Sequence, residues 1–433
     1  MMKRITLSLF LLSLFGCVAF PTFAFSQTEN MTGHQLAGNL LAYPYIEIAP
    51  PPQTSVPDGY IPFHMEHYGR HGSRWLLGDE DYSLPVKNLE KAEKAGKLTP
   101  LGIETLNALR KIEQESKGRL GELSDKGAIQ HRTIGQRMAQ NFPQIFTSEA
   151  DLTAKSTTVI RCIISMANAL EGIQNVAPEV NFDKDASQAD MWFMNFDDKP
   201  GWKVKDSVSA AVLKPYRDSI MVTETYLSRL VTDPEFARDS VAPGLLPRFY
   251  WVLGNTQSHS DQPWLFEDVF SKEELIENWK SGNAGWFVHG GNSILTDYRM
   301  PFVQRKLLGR IIERTDSAIS TGRPGANLRF GHDGILISII TLMELGIYGD
   351  EINSLEDLEN SEWRDYEIIP MAGNLQLVFY RPEGDFTPDD ILVKAMINER
   401  EVSMPGTPVS GPYYRWSDLR DHYIIKIRQS GLD

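Results

Sequence analysis

An α/β architecture, with a mostly parallel sheet flanked by helices and carrying an inserted helical subdomain, is predicted by three features of this 433-residue chain. Apolar runs of strand length alternate with segments of helical period, the order that builds parallel sheets. Several strand ends pass through polar or basic turns directly into helices. Between 183 and 299 the texture changes to helix-rich segments that hold six of the nine tryptophans, Trp192, Trp202, Trp251, Trp264, Trp279 and Trp286. A composition of 42% hydrophobic and 23% charged residues excludes disorder, collagen and coiled coil. The net charge of −14 argues against a protein that coats nucleic acid or an anionic membrane, so any bound anion needs a local basic cluster.

Lys3 and Arg4 precede an apolar run too short for a stable span, and small residues follow near Ala24 and Ser26. This reads as a secretory signal peptide over 1–26, giving an exported, periplasmic protein; the alternative is an outer-membrane lipoprotein attached through Cys17. Cys162 is then the one cysteine of a soluble mature chain, so no intramolecular disulfide forms and stability rests on the core. No later segment approaches the ~20 apolar residues of a membrane span. Residues 27–58, with Pro50-Pro51-Pro52, are expected to be an extended lead-in.

A strand at 60–68 runs into Gly69-Arg70-His71-Gly72-Ser73-Arg74. Helices follow at 99–115, opened by Thr99-Pro100, and at 125–141, with Ser124 as N-cap. A short strand at 152–155 leads through Ser156-Thr157-Thr158 into a helix whose apolar face is read as Ile160, Ile163, Ile164 and Ala167. The helical insert, 183–299, contains helical patterns at 208–230 and 272–280, and its tryptophans suggest a small core of its own. Beyond it come a helix at 302–319, a strand at 326–331, His332-Asp333-Gly334, an apolar helix at 335–345, and strands at 375–380 and 391–397. Residues 59–182 and 300–433 thus form the α/β domain, and the insert covers its crevice.

Three segments share one layout: 70–74, 156–161 and 332–333 each follow a strand and precede a helix. In open α/β sheets ligands bind beyond the carboxyl ends of strands, where helix N-termini present free N–H groups. All three can converge on one anion.

Arg70-His71-Gly72-Ser73-Arg74 matches the RHGxR signature of histidine acid phosphatases, clade 2 of the histidine phosphatase superfamily, and His332-Asp333 resembles their HD motif. Ser156 to Arg161, with Ser165, looks like the family segment that carries a third phosphate-binding arginine. The resemblance spans nearly the whole mature chain, including Asn398-Glu399-Arg400 and Tyr413-Tyr414-Arg415-Trp416. The context from His67 is most similar to bacterial relatives of multiple inositol polyphosphate phosphatase, a branch that includes phytate-degrading enzymes. Two departures stand out. Leu76 occupies a position where that motif often has proline, and the inositol branch commonly has His-Ala-Glu where this chain has His332-Asp333-Gly334. The resemblance implies a phosphoglycerate mutase-like fold, a small phosphate-ester substrate, and no metal or cofactor.

Those residue types suit the chemistry. A phosphomonoester repels nucleophiles and has a basic leaving oxygen, so a catalyst needs cations around phosphorus and a proton donor at that oxygen. Arg70, Arg74 and Arg161 can clamp the phosphoryl oxygens, His71 can attack in line, and Asp333 can act as general acid and then base while His332 hydrogen-bonds the phosphate. Gly69 and Gly72 are read as allowing close backbone approach to the phosphate. No role is assigned to His67 or His131, and Cys162 is expected in the core.

Rival signatures are incomplete. His289-Gly290-Gly291-Asn292 is similar to a lipase oxyanion loop, but no GxSxG elbow accompanies it. His64-Met65-Glu66-His67 is not the zinc-protease pattern. The expected function is therefore a phosphomonoesterase acting on inositol polyphosphates such as phytate. The alternatives are a general acid phosphatase on sugar phosphates or a phosphate-ligand binding protein without turnover.

Overall fold

The computed structural model describes residues 30–220, 225–259 and 262–431; the expected signal peptide and Cys17 lie outside them. Thr32–Asp433 forms one compact unit. Its strands are β1 (Tyr60–Arg70), β2 (Asp151–Ser156), β3 (Asp183–Asp185), β4 (Gly325–Gly331), β5 (Asn374–Pro382), β6 (Leu392–Ile397), β7 (Arg400–Val402) and β8 (Tyr414–Arg415). They make one sheet in the order β3-β2-β4-β1-β5-β6-β7, with β8 on β6. The predicted α/β fold is present, and the sheet is mixed. It is parallel from β3 to β1 and antiparallel from β1 through β8. Long helical crossovers join the parallel strands, whereas β5, β6 and β7 follow one another through connections too short for a crossover.

The principal helices are α1 (Asp79–Lys94), α2 (Pro100–Ser116), α3 (Asp125–Asn141), α4 (Ile160–Val176), α5 (Lys199–Val208), α6 (Lys272–Gly290), α7 (Arg305–Thr321), α8 (Asp333–Leu342) and α9 (Trp416–Gln429). Helix α2 starts where its signals lie, with Thr99 Oγ1 accepting from Gly102 N at 3.0 Å and Pro100 in the first turn. Helix α3 starts likewise, with Ser124 Oγ accepting from Gly127 N at 3.2 Å. Helix α1 escapes the sequence pattern because Pro85 lies inside it; the Asp81 carboxylate accepts from Gly78 N at 3.1 Å and caps its start.

Helices α3 and α4 cover one face of the sheet, packing on Met65, Leu152, Ala154, Val378 and Met396. Helices α7, α8 and α9 cover the other, around Phe63, Leu377, Phe379 and Val393. Helix α4 presents the opposite stripe from the one expected. Ile160 and Ile164 are 72% and 43% exposed, while Cys162, Ser165, Met166, Ala169 and Ile173 face inward. Steric closeness decides this orientation. Gly135 of α3 packs on the Ala169 carbonyl and Gly172 of α4 on the Arg132 carbonyl, and only the stripe with small residues permits that approach.

The helix expected over 208–230 is divided. Helix α5 passes through a π-helical turn, Ser209–Leu213, into a helix at Lys214–Ile220, and a further turn forms at Leu227–Leu230. Pro215 has no N–H to donate and crowds the preceding turn, which widens to admit it. Of the six tryptophans only Trp279 is buried. Tyr226, Phe249, Phe266 and Phe270 supply the aromatic cluster there instead. The lead-in also departs from expectation, since Gln35–Leu40 forms a mostly buried 3₁₀ segment broken at Gly38 (φ 60°, ψ −132°).

A Cβ on Gly135 would stand 2.0 Å from the Ala169 oxygen. Alanine gains about 1 kcal/mol over glycine in a free helix, yet Gly135→Ala should lower unfolding stability by roughly 1–3 kcal/mol in urea titrations. A stabilised variant would show that α3 and α4 do not need this contact.

Candidate active site

The sheet register brings the three predicted segments together. Arg70, the last residue of β1, lies opposite Gly331 at the end of β4, and Ser156 of β2 lies opposite Phe330. The ladder runs one residue further on each side, with His71 N donating to Gly331 O (3.0 Å) and Thr157 N to Phe330 O (3.0 Å). Helix α8 starts at Asp333 with His332 as N-cap, and α4 starts one residue before Arg161. Two of the three segments therefore enter helices directly. The first does not, because residues 71–78 form a loop before α1.

That loop is held at nearly every backbone group. Arg70 N donates to Gly373 O (2.8 Å), and His71 O accepts from Ala372 N (3.0 Å). Gly72 N donates to Ser165 Oγ (3.2 Å) and Ser73 N to Gln130 Oε1 (2.9 Å). A Cβ on Gly72 would stand 2.6 Å from Gly127 O, and one on Gly69 would stand 2.9 Å from the His67 ring. Packing against α3 and His67, rather than phosphate approach, requires both glycines.

His71 Nδ1 is 3.0 Å from Gly72 O. A carbonyl only accepts, so Nδ1 carries the proton and Nε2 keeps its lone pair. Burial and the charges of Arg70, Arg74 and Arg161 hold this imidazole well below the ordinary histidine range. His332 lies beside it, ring centroids 6.0 Å apart, and is lowered to about 4, chiefly by burial and against the raising charge of Asp333. Thr157 Oγ1 lies 3.2 Å from His332 Nε2 and orients that ring.

Arg70 Nη2 meets Asp333 Oδ2 at 2.9 Å, an ion contact lying off the hydrogen-bond direction. The Nε groups of Arg70, Arg74 and Arg161 are buried without a protein partner. Burial, Arg70 and Arg161 lower Arg74 to about 10. Burial alone would raise the Asp333 carboxyl, but Arg70, Arg74 and His332 outweigh it and hold it below its usual value. All six predicted site residues thus share one cluster. His71 is 2% exposed, with the Arg70–Asp333 contact in the same cluster.

A cavity of about 690 Å³ adjoins the cluster; Arg74 and Asp333 line it together with Lys205, Arg217, Trp251, Trp279, Trp286 and His289. Three tryptophans of the helical insert therefore line a cavity rather than fill a core. His289, whose motif pointed to no complete chemistry, lies between Trp202 and Trp286 (centroids 5.2 and 5.4 Å) and is lowered to about 4, chiefly by burial. A Cβ on Gly334 would stand 2.4 Å from its Nε2. Cys162 is buried beneath His332 and donates to Gly331 O (3.3 Å), and burial pushes its thiol up to about 11, so it is not a nucleophile. Among the described residues no three His, Cys, Asp or Glu side chains stand as a metal would need them.

Sequence reasoning missed five contributors: Asn39, Ile369, Asp365 and the cavity-lining cations Lys205 and Arg217. Arg70 Nη1 donates to the carbonyls of Asn39 (2.6 Å) and Ile369 (2.5 Å). Asp365, 1% exposed, is pushed up to about 6 by burial. His131 donates to the Arg70 carbonyl from behind and, like His67, is buried and neutral.

The family model of the histidine phosphatase superfamily (branch 2) matches residues 70–398. Multiple inositol polyphosphate phosphatase 1 of Gallus gallus is 23% identical over 86% of this chain and 83% of its own length. The multiple inositol polyphosphate phosphatase of Bifidobacterium longum superposes with a TM-score of 0.69 at 18% identity, over 90% of this chain and 97% of that one. The phytase of D. castellii gives 0.68 at 15%, over 96% and 90%. At these identities the structures establish likeness of fold.

Burial lowers His67 to about 3 and His131 to about 4. Unfolding restores the ordinary value, so between pH 6.5 and about 4 the unfolded chain binds the extra protons and stability falls as pH falls. Each such histidine adds at most about 1.4 kcal/mol per pH unit. His131→Gln should flatten this slope in denaturant titrations, and an unchanged slope would show that His131 accepts its proton in the folded state.

Proposed function

The chain belongs to the histidine phosphatase superfamily (branch 2) and is an acid phosphatase of the histidine type; on that premise we propose that it is an exported phosphomonoesterase that hydrolyses inositol polyphosphates through a phosphohistidine. The observation that carries the mechanism is the neutral, buried His71, with Nε2 free, among three arginines and beside the Asp333 carboxyl group.

A phosphoryl group takes the place of the Asp333 carboxylate at Arg70 Nη2, and its oxygens receive the unpaired N–H groups of Arg70, Arg74 and Arg161. His71 Nε2 forms a bond to phosphorus as the bond to the leaving oxygen breaks, and protonated Asp333 gives that oxygen its proton. The Asp333 carboxylate then takes a proton from water, whose oxygen attacks phosphorus; the N–P bond breaks and phosphate leaves. Asp333 suits the donor role by position. At 334, where the inositol branch carries glutamate, the His289 ring fills the space a side chain would need.

Lys205 and Arg217 in the cavity lining support a substrate with further phosphates, as does the likeness to inositol polyphosphate phosphatases. The second reading, a general acid phosphatase on sugar phosphates, draws on the aromatic walls and on Asp81 and Asp365, which offset those two cations.

Rapid quenching with radiolabelled substrate should leave label on His71, and His71→Ala should lose both label and turnover; turnover retained in that variant would remove the scheme. Asp333→Asn should lose more rate with alkyl than with aryl phosphates. Equal losses would exclude Asp333 as donor. Bound phosphate offsets the arginines that depress Asp333, so the ionisation that limits kcat on the alkaline side should lie above the one in kcat/KM; coincident values would show that Asp333 does not titrate with binding. Lys205→Ala with Arg217→Ala should raise KM for phytate at least about tenfold, the scale of losing one charge-assisted contact, and leave aryl phosphate nearly unchanged. Equal effects would favour the second reading.

A further inference from the structure

Asp365 begins a short helix, Asp365–Ile368, in the connection between α8 and β5. Its carboxylate accepts the Trp279 indole N–H of α6 at 2.9 Å and the backbone N–H of Asn39. Its own N–H donates to Asn283 Oδ1 (2.9 Å), and its carbonyl accepts from Ile369 N (2.8 Å). The two residues that Asp365 ties down in this way, Asn39 and Ile369, are the ones whose carbonyls hold Arg70 Nη1. A closed circuit results, running from Arg70 through each carbonyl to Asp365. Gly38 completes it. Its left-handed backbone turns Asn39 toward the carboxylate, and a Cβ there would lie 2.9 Å from Asp365 Oδ2.

Arg70 needs such a collar. Arg161 repels its fully buried guanidinium, and Asp333, its counter-charge, gives up its place at Nη2 when phosphate binds. The two carbonyls occupy Nη1 and leave Nε and Nη2 aimed at the phosphate. We infer that Asp365 is a positioning residue for this reaction: its carboxylate fixes Asn39 and its main chain fixes Ile369, the residues whose carbonyls aim the Arg70 guanidinium, and so it acts on phosphate binding and turnover through Arg70 alone. The inference rests on the reading of Arg70 as a phosphate clamp.

A double-mutant cycle tests it. An amide at 365 keeps the shape and the main-chain bond to Ile369 but offers one acceptor oxygen where three N–H groups, those of Trp279, Tyr366 and Asn39, converge. Asp365→Asn should weaken binding of inorganic phosphate, and lower kcat/KM for an aryl phosphate, by about tenfold. In an Arg70→Ala background the same change should alter phosphate binding by less than about twofold, because nothing is left to aim. Equal losses in both backgrounds, or none in the first, would overturn the inference while leaving the clamp intact. Phosphate binding unaffected by Arg70→Ala would instead sink the clamp, and the inference with it. If Asp365→Asn does not fold, Trp279→Phe removes one donor to the same carboxylate and should show a smaller loss with the same dependence on Arg70; a loss independent of Arg70 counts against the inference.

Discussion

Three guanidinium groups gathered in one site, those of Arg70 and Arg74 buried and that of Arg161 partly so, repel one another, and the surrounding structure is arranged to keep them there. Removing charges from water costs several kcal/mol each before any attraction is recovered. Arg70 is fully buried, and its neighbours answer the cost group by group: Asp333 faces Nη2, and the carbonyls of Asn39 and Ile369 face Nη1. Arg74 gives one N–H to the Trp75 carbonyl and keeps Nε for a ligand. A phosphoryl group is the anion that completes this arrangement, since it brings more acceptors than the single carboxylate it displaces.

The same field sets the protonation states. Burial, with arginines beside it, keeps His71 neutral, burial keeps His332 neutral, and the arginines hold Asp333 ionised. On the proposed mechanism substrate charge prepares its own proton donor, because the anion that binds the arginines also releases Asp333 from them. The neutral His71 is aimed by a backbone carbonyl, and that carbonyl belongs to a loop fixed by the close approach of Gly72 to Gly127. Small residues on α3 and α4 thus govern the nucleophile's position at one remove.

Much of the catalytic group was legible from residue order. RHGxR, the segment ending at Arg161, and His332-Asp333 each stand beyond a strand, and parallel neighbours place such ends side by side. Helix starts at Thr99 and Ser124 were legible because caps are local. Faces and interruptions were less so. Helix α4 carries two stripes of plausible polarity, and only the close packing on α3 chooses between them. Pro85 masked α1, and Pro215 turned one expected helix into a π-interrupted one. The insert's tryptophans promised a core, yet Trp251, Trp279 and Trp286 line the cavity, since a large ring suits a concave wall as well as an interior.

The chain alone marked out the candidate side chains for the chemistry, because a candidate nucleophile, acid and clamp differ in kind from other residues and sit at strand ends that local patterns reveal. Tertiary structure decided how they are held: the antiparallel half of the sheet, the cavity lined by Lys205 and Arg217, and the carbonyls of Asn39 and Ile369 around Arg70. A main-chain carbonyl is the same group at every position, so nothing in the residue code marks the two that aim the clamp. Only the path of the folded backbone brings them there.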